Sequence, residues 1–284
     1  MRWQEMNKEE LEYEYNPRVT VADFADFFQI YADASNESRD RTPHQLDLRY
    51  GVGPLATLDW YGDHVDGPLH VFVHGGYWRS QDKKDYGFVA AELVRHGMNV
   101  AIVNYDLCPT VTIGDINVQC VAAVDFLLNH PAVPSFDSKA LSISGHSAGG
   151  QIVADLLHYD WQMQKGYSLP LCTAMTISGV FDLEPIRHTS INDDVGLSQE
   201  TARQYSPIYS KRHVDAPIFV CVGSQESRGF QSQSENYFST HCSSEQGDRL
   251  ATIDDCHHFS ILLALFSAEG TWHDEVLNIL LRSK

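Results

Sequence analysis

Past residue 45 the chain first alternates apolar and polar positions. Leu46-Asp-Leu-Arg-Tyr-Gly and Ala56-Thr-Leu-Asp-Trp-Tyr repeat with a period of two, as half-buried strands do. Gly51, Gly53 and Pro54 punctuate the turn between them. The pattern then changes to continuous apolar runs at Leu69–Val73, Asn99–Tyr105, Ala140–Ser144, Cys172–Ile177 and Ala216–Gly223. Runs of that length, rich in β-branched residues, predict strands buried on both faces. Arg249–Ile253 is a shorter one. Helical spacing appears at Val118–Leu128, which stops before Pro131, at Gln151–Leu157 and at Ser260–Phe266. Strand and helix in alternation predict an α/β fold: a mostly parallel central sheet with helices on both faces. The first two strands have no helix between them and are expected to be antiparallel edge strands.

Two stretches fall outside this rhythm. Residues 1–45 form an N-terminal helical extension. Asn7-Lys-Glu-Glu-Leu-Glu opens a charged helix, and Val21–Tyr31 is amphipathic, with Phe and Tyr at helical spacing. In the simplest reading that face packs on the body of the protein; in the other it covers a pocket mouth. Residues 185–212 carry Pro185, His188 and a Thr-Ser-Ile-Asn-Asp-Asp run before helical spacing resumes. They are expected to form a cap insertion within one α/β domain spanning 46–284. No repeat or linker marks a second domain.

The chemistry concentrates where strands end. The run Ala140-Leu-Ser-Ile-Ser-Gly-His-Ser-Ala-Gly-Gly150 places Gly-His-Ser-Ala-Gly between a strand and a helix. A G-x-S-x-G in that position puts its serine on a tight turn with the hydroxyl exposed. Gly145 and Gly149 leave room for the neighbouring strand and helix, and the helix N-terminus favours a developing oxyanion. Ser147 is therefore the candidate nucleophile. Upstream, His74-Gly75-Gly76 ends a strand, and such loops present bare amides to an acyl oxygen. Gly76 and Tyr77 are the expected donors, with Ala148 from the serine turn as the third. His74 is expected to bond loop backbone. Trp78 either lines the pocket as a substrate-binding residue or packs behind the loop.

A serine nucleophile needs a base, and the base needs an orienting carboxylate. The expected chain order is Ser, then acid, then His. Glu226 follows the strand ending at Gly223 and stands where that acid belongs. Asp254-Asp-Cys-His-His-Phe259 follows the last strand. His258 is preferred to His257 as the base because Phe259 and an apolar helix dock it. Asp254 and Asp255 read as loop caps, and Asp182 as a cap for a helical turn. Cys256, His257 and His258 lack a second ligand cluster, so no metal is expected, and the steps call for no cofactor.

Composition narrows the partners. The 284 residues carry a formal net charge of −18, which disfavours nucleic acid and anionic membranes. No apolar run is long enough to span a bilayer, and the N-terminus lacks the apolar stretch of a signal peptide. Six scattered cysteines suggest no disulfide framework, so a cytoplasmic protein is expected. A small-molecule substrate fits this balance; a homodimer is compatible with it.

Taken together, His74-Gly-Gly-Tyr-Trp78, Tyr105-Asp-Leu-Cys-Pro109, Gly145–Gly150, Ser178–Pro185, Val222–Ser227 with Gln233-Ser234, and His258-Phe259 resemble the α/β-hydrolase superfamily. Within it they are most similar to the arylformamidase (kynurenine formamidase) and related esterase group, over about residues 46–266. The resemblance implies an α/β-hydrolase fold, Ser147 as nucleophile, His258 as base and Glu226 as acid, where the family usually has Asp. The expected activity is serine-dependent hydrolysis of small acyl esters or aryl formamides through an acyl-enzyme on Ser147. The alternative is a catalytically silent receptor or binding protein on the same fold.

Overall fold

Along the central strands, side chains alternate between two separate apolar layers. Val71 and Val73 face one layer and Phe72 the other; Val220 and Val222 oppose Phe219 and Cys221. A strand whose two faces both meet apolar cover must be apolar throughout, which is why these runs lack the polar alternation of an exposed sheet. A computed structural model describes residues 3–281. Its strands are β1 (His44–Arg49), β2 (Thr57–Tyr61), β3 (Leu69–Val73), β4 (Asn99–Val103), β5 (Leu141–His146), β6 (Leu171–Ile177), β7 (Ile218–Gly223) and β8 (Arg249–Ile253). They form one eight-stranded sheet in the order β1-β2-β4-β3-β5-β6-β7-β8. β2 runs antiparallel to both neighbours, and all pairings from β4 to β8 are parallel. Only β1 is an edge at that end; β2, expected at an edge, lies between β1 and β4.

The helices are α1 (Lys8–Tyr15), α2 (Pro17–Thr20), α3 (Phe24–Arg41), α4 (Phe88–Arg95), α5 (Ile113–Asn129), α6 (Ala148–His158), α7 (Trp161–Lys165), α8 (Asn192–Val195), α9 (Gln199–Gln204), α10 (Arg228–His241), α11 (Ser260–Phe266) and α12 (His273–Leu280). Residues of α5, α6 and α10 join one apolar layer. Those of α3, α4, α11 and α12 join the other. The result is the α/β-hydrolase fold, with helices on both faces of a mostly parallel sheet. All six cysteines are free thiols.

Chain order places the site. From β3 the chain moves to β4 on one side and then returns to β5 on the other. The loops leaving β3 and β5 therefore diverge and open a crevice at the carboxyl ends of the strands, where ligands bind in open α/β sheets.

The two stretches outside the strand–helix rhythm both pack near that crevice. Asn7 caps α1 with a capping box, accepting from the Glu10 amide while Glu10 accepts from the Asn7 amide. α3 buries Tyr31, Ser35 and Ser38. Residues 185–212 leave the sheet as short helical turns, including α8 and α9. They meet the N-terminal segment through a Glu12–Ser190 hydrogen bond and a Trp3–His188 stack at 5.7 Å.

Candidate active site

β5 ends at His146, and the next residue cannot continue either strand or helix. Ser147 takes φ 57° and ψ −119° before α6 begins at Ala148. That backbone is costly for a residue with a Cβ, by about 1–3 kcal/mol. The surroundings hold it: the Ser147 amide donates to Ile177 O at 2.8 Å, and Gly150 N donates to Ser147 O at 2.9 Å. A Cβ at Gly149 would stand 2.1 Å from Val73 O, so the turn can only be this tight with glycine there.

Glu226 lies just past β7 and is buried. Each of its carboxylate oxygens is engaged. Oε1 accepts from the Ser178 hydroxyl at 2.5 Å and from Gly223 N at 2.8 Å. Oε2 accepts from His258 Nδ1 at 2.6 Å. With Nδ1 bound to the acid, no hydrogen bond engages His258 Nε2 among the described residues. Phe230 packs on the His258 ring at 4.5 Å and His146 at 4.7 Å. His146 Nε2 donates to the His258 carbonyl at 2.8 Å. Burial lowers the His146 pKa well below the ordinary imidazole value, so the ring that steadies His258 carries no charge.

The loop after β3 is built on left-handed backbone. Gly76, Tyr77 and Trp78 have φ of 107°, 50° and 56° in succession. A Cβ on Gly76 would stand 2.1 Å from Ser80 O. His74 stacks on Tyr105 at 4.4 Å and hydrogen-bonds Gly75 O and Asn104 Oδ1 at 2.8 and 2.9 Å. Tyr105 Oη donates to His74 O at 2.8 Å. Among the described residues, the amides of Gly76, Tyr77 and Ala148 have no hydrogen-bond acceptor. Tyr77 and Ala148 are buried and Gly76 is half-buried, positions where amides are usually paired.

The structure brings Ser147, His258, Gly76 and Tyr77 to one cavity of about 30 Å³. It does not bring Trp78 there. Trp78 is fully buried and donates Nε1–H to Gln151 Oε1 at 3.0 Å, beneath the loop and against α6. Its expected role in substrate binding is corrected on that ground: the third successive positive φ turns it inward. His257 stands apart from Glu226; its Nδ1 accepts from Phe259 and Ser260 amides at 3.2 and 3.3 Å, capping α11. Asp254 and Asp255 are exposed. Asp182 accepts from Glu184 N at 3.0 Å and from Tyr209 Oη at 3.1 Å.

The cover of the cavity comes from the N-terminal segment. Asn16, Pro17, Arg18, Phe28 and Tyr31 line it, and no residue of 185–212 does. Tyr77 Oη donates to Tyr15 O, and Tyr31 Oη to Phe259 O. The Arg18 guanidinium donates to Ser80 Oγ at 3.1 Å and lies over Phe24 and Phe28 at 5.7 and 5.6 Å. Burial, with Arg79 nearby, holds its pKa below the usual guanidinium value. Arg79 is paired with Asp194 at 2.5 Å, whereas Arg18 meets no carboxylate among the described residues. A second cavity, about 370 Å³ and lined by α5 and α6, is larger. Its His158 Nδ1 lies 2.8 Å from Ser210 Oγ, but the other ring nitrogen is taken up by Tyr237 Oη at 3.0 Å, no carboxylate among the described residues orients it, and burial pushes its pKa down to about 3.

Sequence reasoning missed the roles of Ser178 and His146, and of its two readings of the N-terminal helices the one that places them over a pocket mouth matches the lining by Phe28 and Tyr31. Ser178 and His146 sit beside quoted motifs, and their position at strand ends was the available signal.

The chain matches known proteins in the same terms. Residues 61–165 match the BD-FAE family. The kynurenine formamidase of Salmo salar is 29% identical, over 96% of this chain and 95% of that protein. That of Danio rerio is 30% identical over 92% of each. A solved structure from Silicibacter sp. TM1040, provisionally described as a thioesterase, superposes with a TM-score of 0.83 at 26% identity. It covers 96% of this chain and 99% of that one. With this extent of likeness and this fold, the chain is a hydrolase and belongs to the kynurenine formamidase family.

Proposed function

We propose that the protein cleaves small acyl groups, formyl foremost, from aromatic amines or alcohols through an acyl-enzyme on Ser147. The observation that carries this reading is that His258, held by Glu226 at 2.6 Å, lines one cavity with Ser147, Gly76 and Tyr77. His258 Nε2 takes the Ser147 proton as Oγ attacks the acyl carbon. Glu226 fixes the tautomer and stabilises the imidazolium that forms. Gly76, Tyr77 and Ala148 amides receive the oxyanion, each worth about 3 kcal/mol in the transition state. The carbon–nitrogen or carbon–oxygen bond then breaks, and His258 returns the proton to the leaving amine or alcohol. Water, deprotonated by the same imidazole, attacks the acyl-enzyme and releases formate or a short carboxylate.

The cavity walls favour one substrate class. The whole cavity measures about 30 Å³, which suits small acyl groups better than long ones. Phe28, Tyr31, Tyr86 and Phe259 suit an aromatic leaving group, and Arg18 suits a carboxylate carried by it. N-formylkynurenine has all three features. The rival reading, a silent binding protein on this fold, is at odds with a serine and a carboxylate-bound histidine lining one cavity.

The test is a panel of N-formylkynurenine beside phenyl acetate and p-nitrophenyl esters, with initial rates measured on purified protein. The proposal expects the highest kcat/KM for N-formylkynurenine. Activity on short esters with none on the formamide would keep the mechanism and remove the formamidase reading. Inactivity across the whole panel would favour the binding protein.

A further inference from the structure

We propose that Glu92, His96 and His273 form a binding site for a divalent transition ion of the zinc class, which ties α12 to α4. None of the three lines the Ser147 cavity. One ligand atom from each lies within 4.8 Å of the other two.

The local structure explains the convergence. Glu92 and His96 are four residues apart at the carboxyl end of α4, so their side chains share a face. His96 Nδ1 is 2.8 Å from the Glu92 carbonyl, an acceptor that fixes the proton on Nδ1. Nε2 is thereby left with its lone pair free, the arrangement seen in metal-bound histidines with an orienting partner. From the other side, His273 opens α12 and is 7% exposed. Its Nε2 is buried without a hydrogen-bond partner and lies 3.8 Å from Glu92 Oε2. Glu92 Oε2 is also buried without a hydrogen bond of good geometry.

Buried polar atoms are normally satisfied, and an unpaired His273 Nε2 facing a buried Glu92 oxygen whose near cation, Arg95, is exposed calls for a shared partner. That partner must accept an imidazole lone pair and a carboxylate together, which a cation does. Two imidazoles and one carboxylate are a common ligand set for zinc, with water in a fourth position. Bonds of about 2.0–2.2 Å place tetrahedral ligand atoms about 3.4 Å apart, so the three groups have to close by about 1 Å. Arg95 Nη2, 2.7 Å from Glu92 Oε2, is the competing cation; its side chain is 66% exposed and free to swing into solvent. No local spacing marks the cluster, because His273 reaches it from a helix 177 positions after His96.

The test uses the full-length chain without a histidine tag, stripped with EDTA and dialysed. Zn²⁺ alone is titrated by calorimetry, and thermal unfolding is followed with and without the ion. One equivalent should bind per chain, and the unfolding midpoint should rise with Zn²⁺ concentration, as for any ligand held by the folded state alone. His96→Gln, at an exposed position, should weaken binding at least tenfold with hydrolysis unchanged; His273→Gln should do the same. Absence of binding up to millimolar Zn²⁺ would overturn the proposal. So would unit stoichiometry and unchanged affinity in His96→Gln, or loss of binding only when His258 is replaced.

Discussion

The loop of residues 74–78 and the segment of residues 15–31 face each other across the same cavity, held by different means. The loop is fixed from within. Three successive positive φ values, the His74–Tyr105 stack and the Trp78–Gln151 hydrogen bond leave it one conformation. The N-terminal segment is held from outside, by aromatic rings and hydroxyl-to-carbonyl bonds from Tyr77 and Tyr31. A preorganised loop stabilises charge that develops during reaction, since its dipoles need not reorient. A cover of stacked rings sets which molecules fit beneath it. The proposed mechanism thus puts transition-state stabilisation and substrate choice in different parts of the chain, and substitutions should separate them.

The largest effect belongs to the rigid side. Ser147→Ala is expected to lower kcat by ~10⁴-fold or more with the fold intact. Retention of a tenth of the activity by a homogeneous preparation would move the nucleophile elsewhere. Glu226→Gln keeps the shape but leaves His258 without its anionic partner, so kcat should fall by ~10²–10⁴. If Asp254→Asn or Asp255→Asn were the crippling change instead, the carboxylate assignment would fail.

Smaller effects should appear on the covering side, and in KM more than kcat. Lengthening the acyl group from formyl or acetyl toward octanoyl should reduce kcat/KM steeply, since one methylene shifts rates by ~10–200-fold in a tight apolar site. Rates that climb with chain length would show that the cover yields to bulk. Arg18→Gln should raise KM about tenfold for an aryl formamide bearing a carboxylate, about the 1.5 kcal/mol of a charged hydrogen bond. Phenyl acetate should be unaffected. Equal losses on both substrates would make Arg18 a structural clamp and not a determinant of charge preference.

The same contrast governs what could be read from the amino acids. The turn around Ser147 depends on glycines within two residues of it, so its signal is local and plain. The buried strands were visible because burial on both faces demands unbroken apolar runs. Trp78 was visible as part of a motif, but its direction depended on backbone angles that no residue type declares. Ser178 and His146 act through partners 48 and 112 residues away, Glu226 and the His258 carbonyl, and neither pairing leaves a pattern along the chain. The cover was harder still. The aromatic periodicity of Val21–Tyr31 showed a sticky face without saying what it sticks to. The cap was expected within 185–212, the usual place for an insertion, yet those residues pack against α1 and leave the cavity to Arg18, Phe28 and Tyr31.

The bond from Tyr31 to the Phe259 carbonyl spans 228 positions, and Glu14 accepts from Gly229 across 215. Residues 14–31 thus rest on residues made more than 200 positions later. Tyr31 of α3 finds Phe88 early in the chain, but Phe24 and Phe28 lack their partner until Phe259 is in place. Contacts so distant in sequence bear the full entropy of closing a long loop and form late. The pocket should therefore be the final feature of the molecule to mature. In refolding, hydrolytic activity should return after the far-ultraviolet signal of helices and strands has recovered.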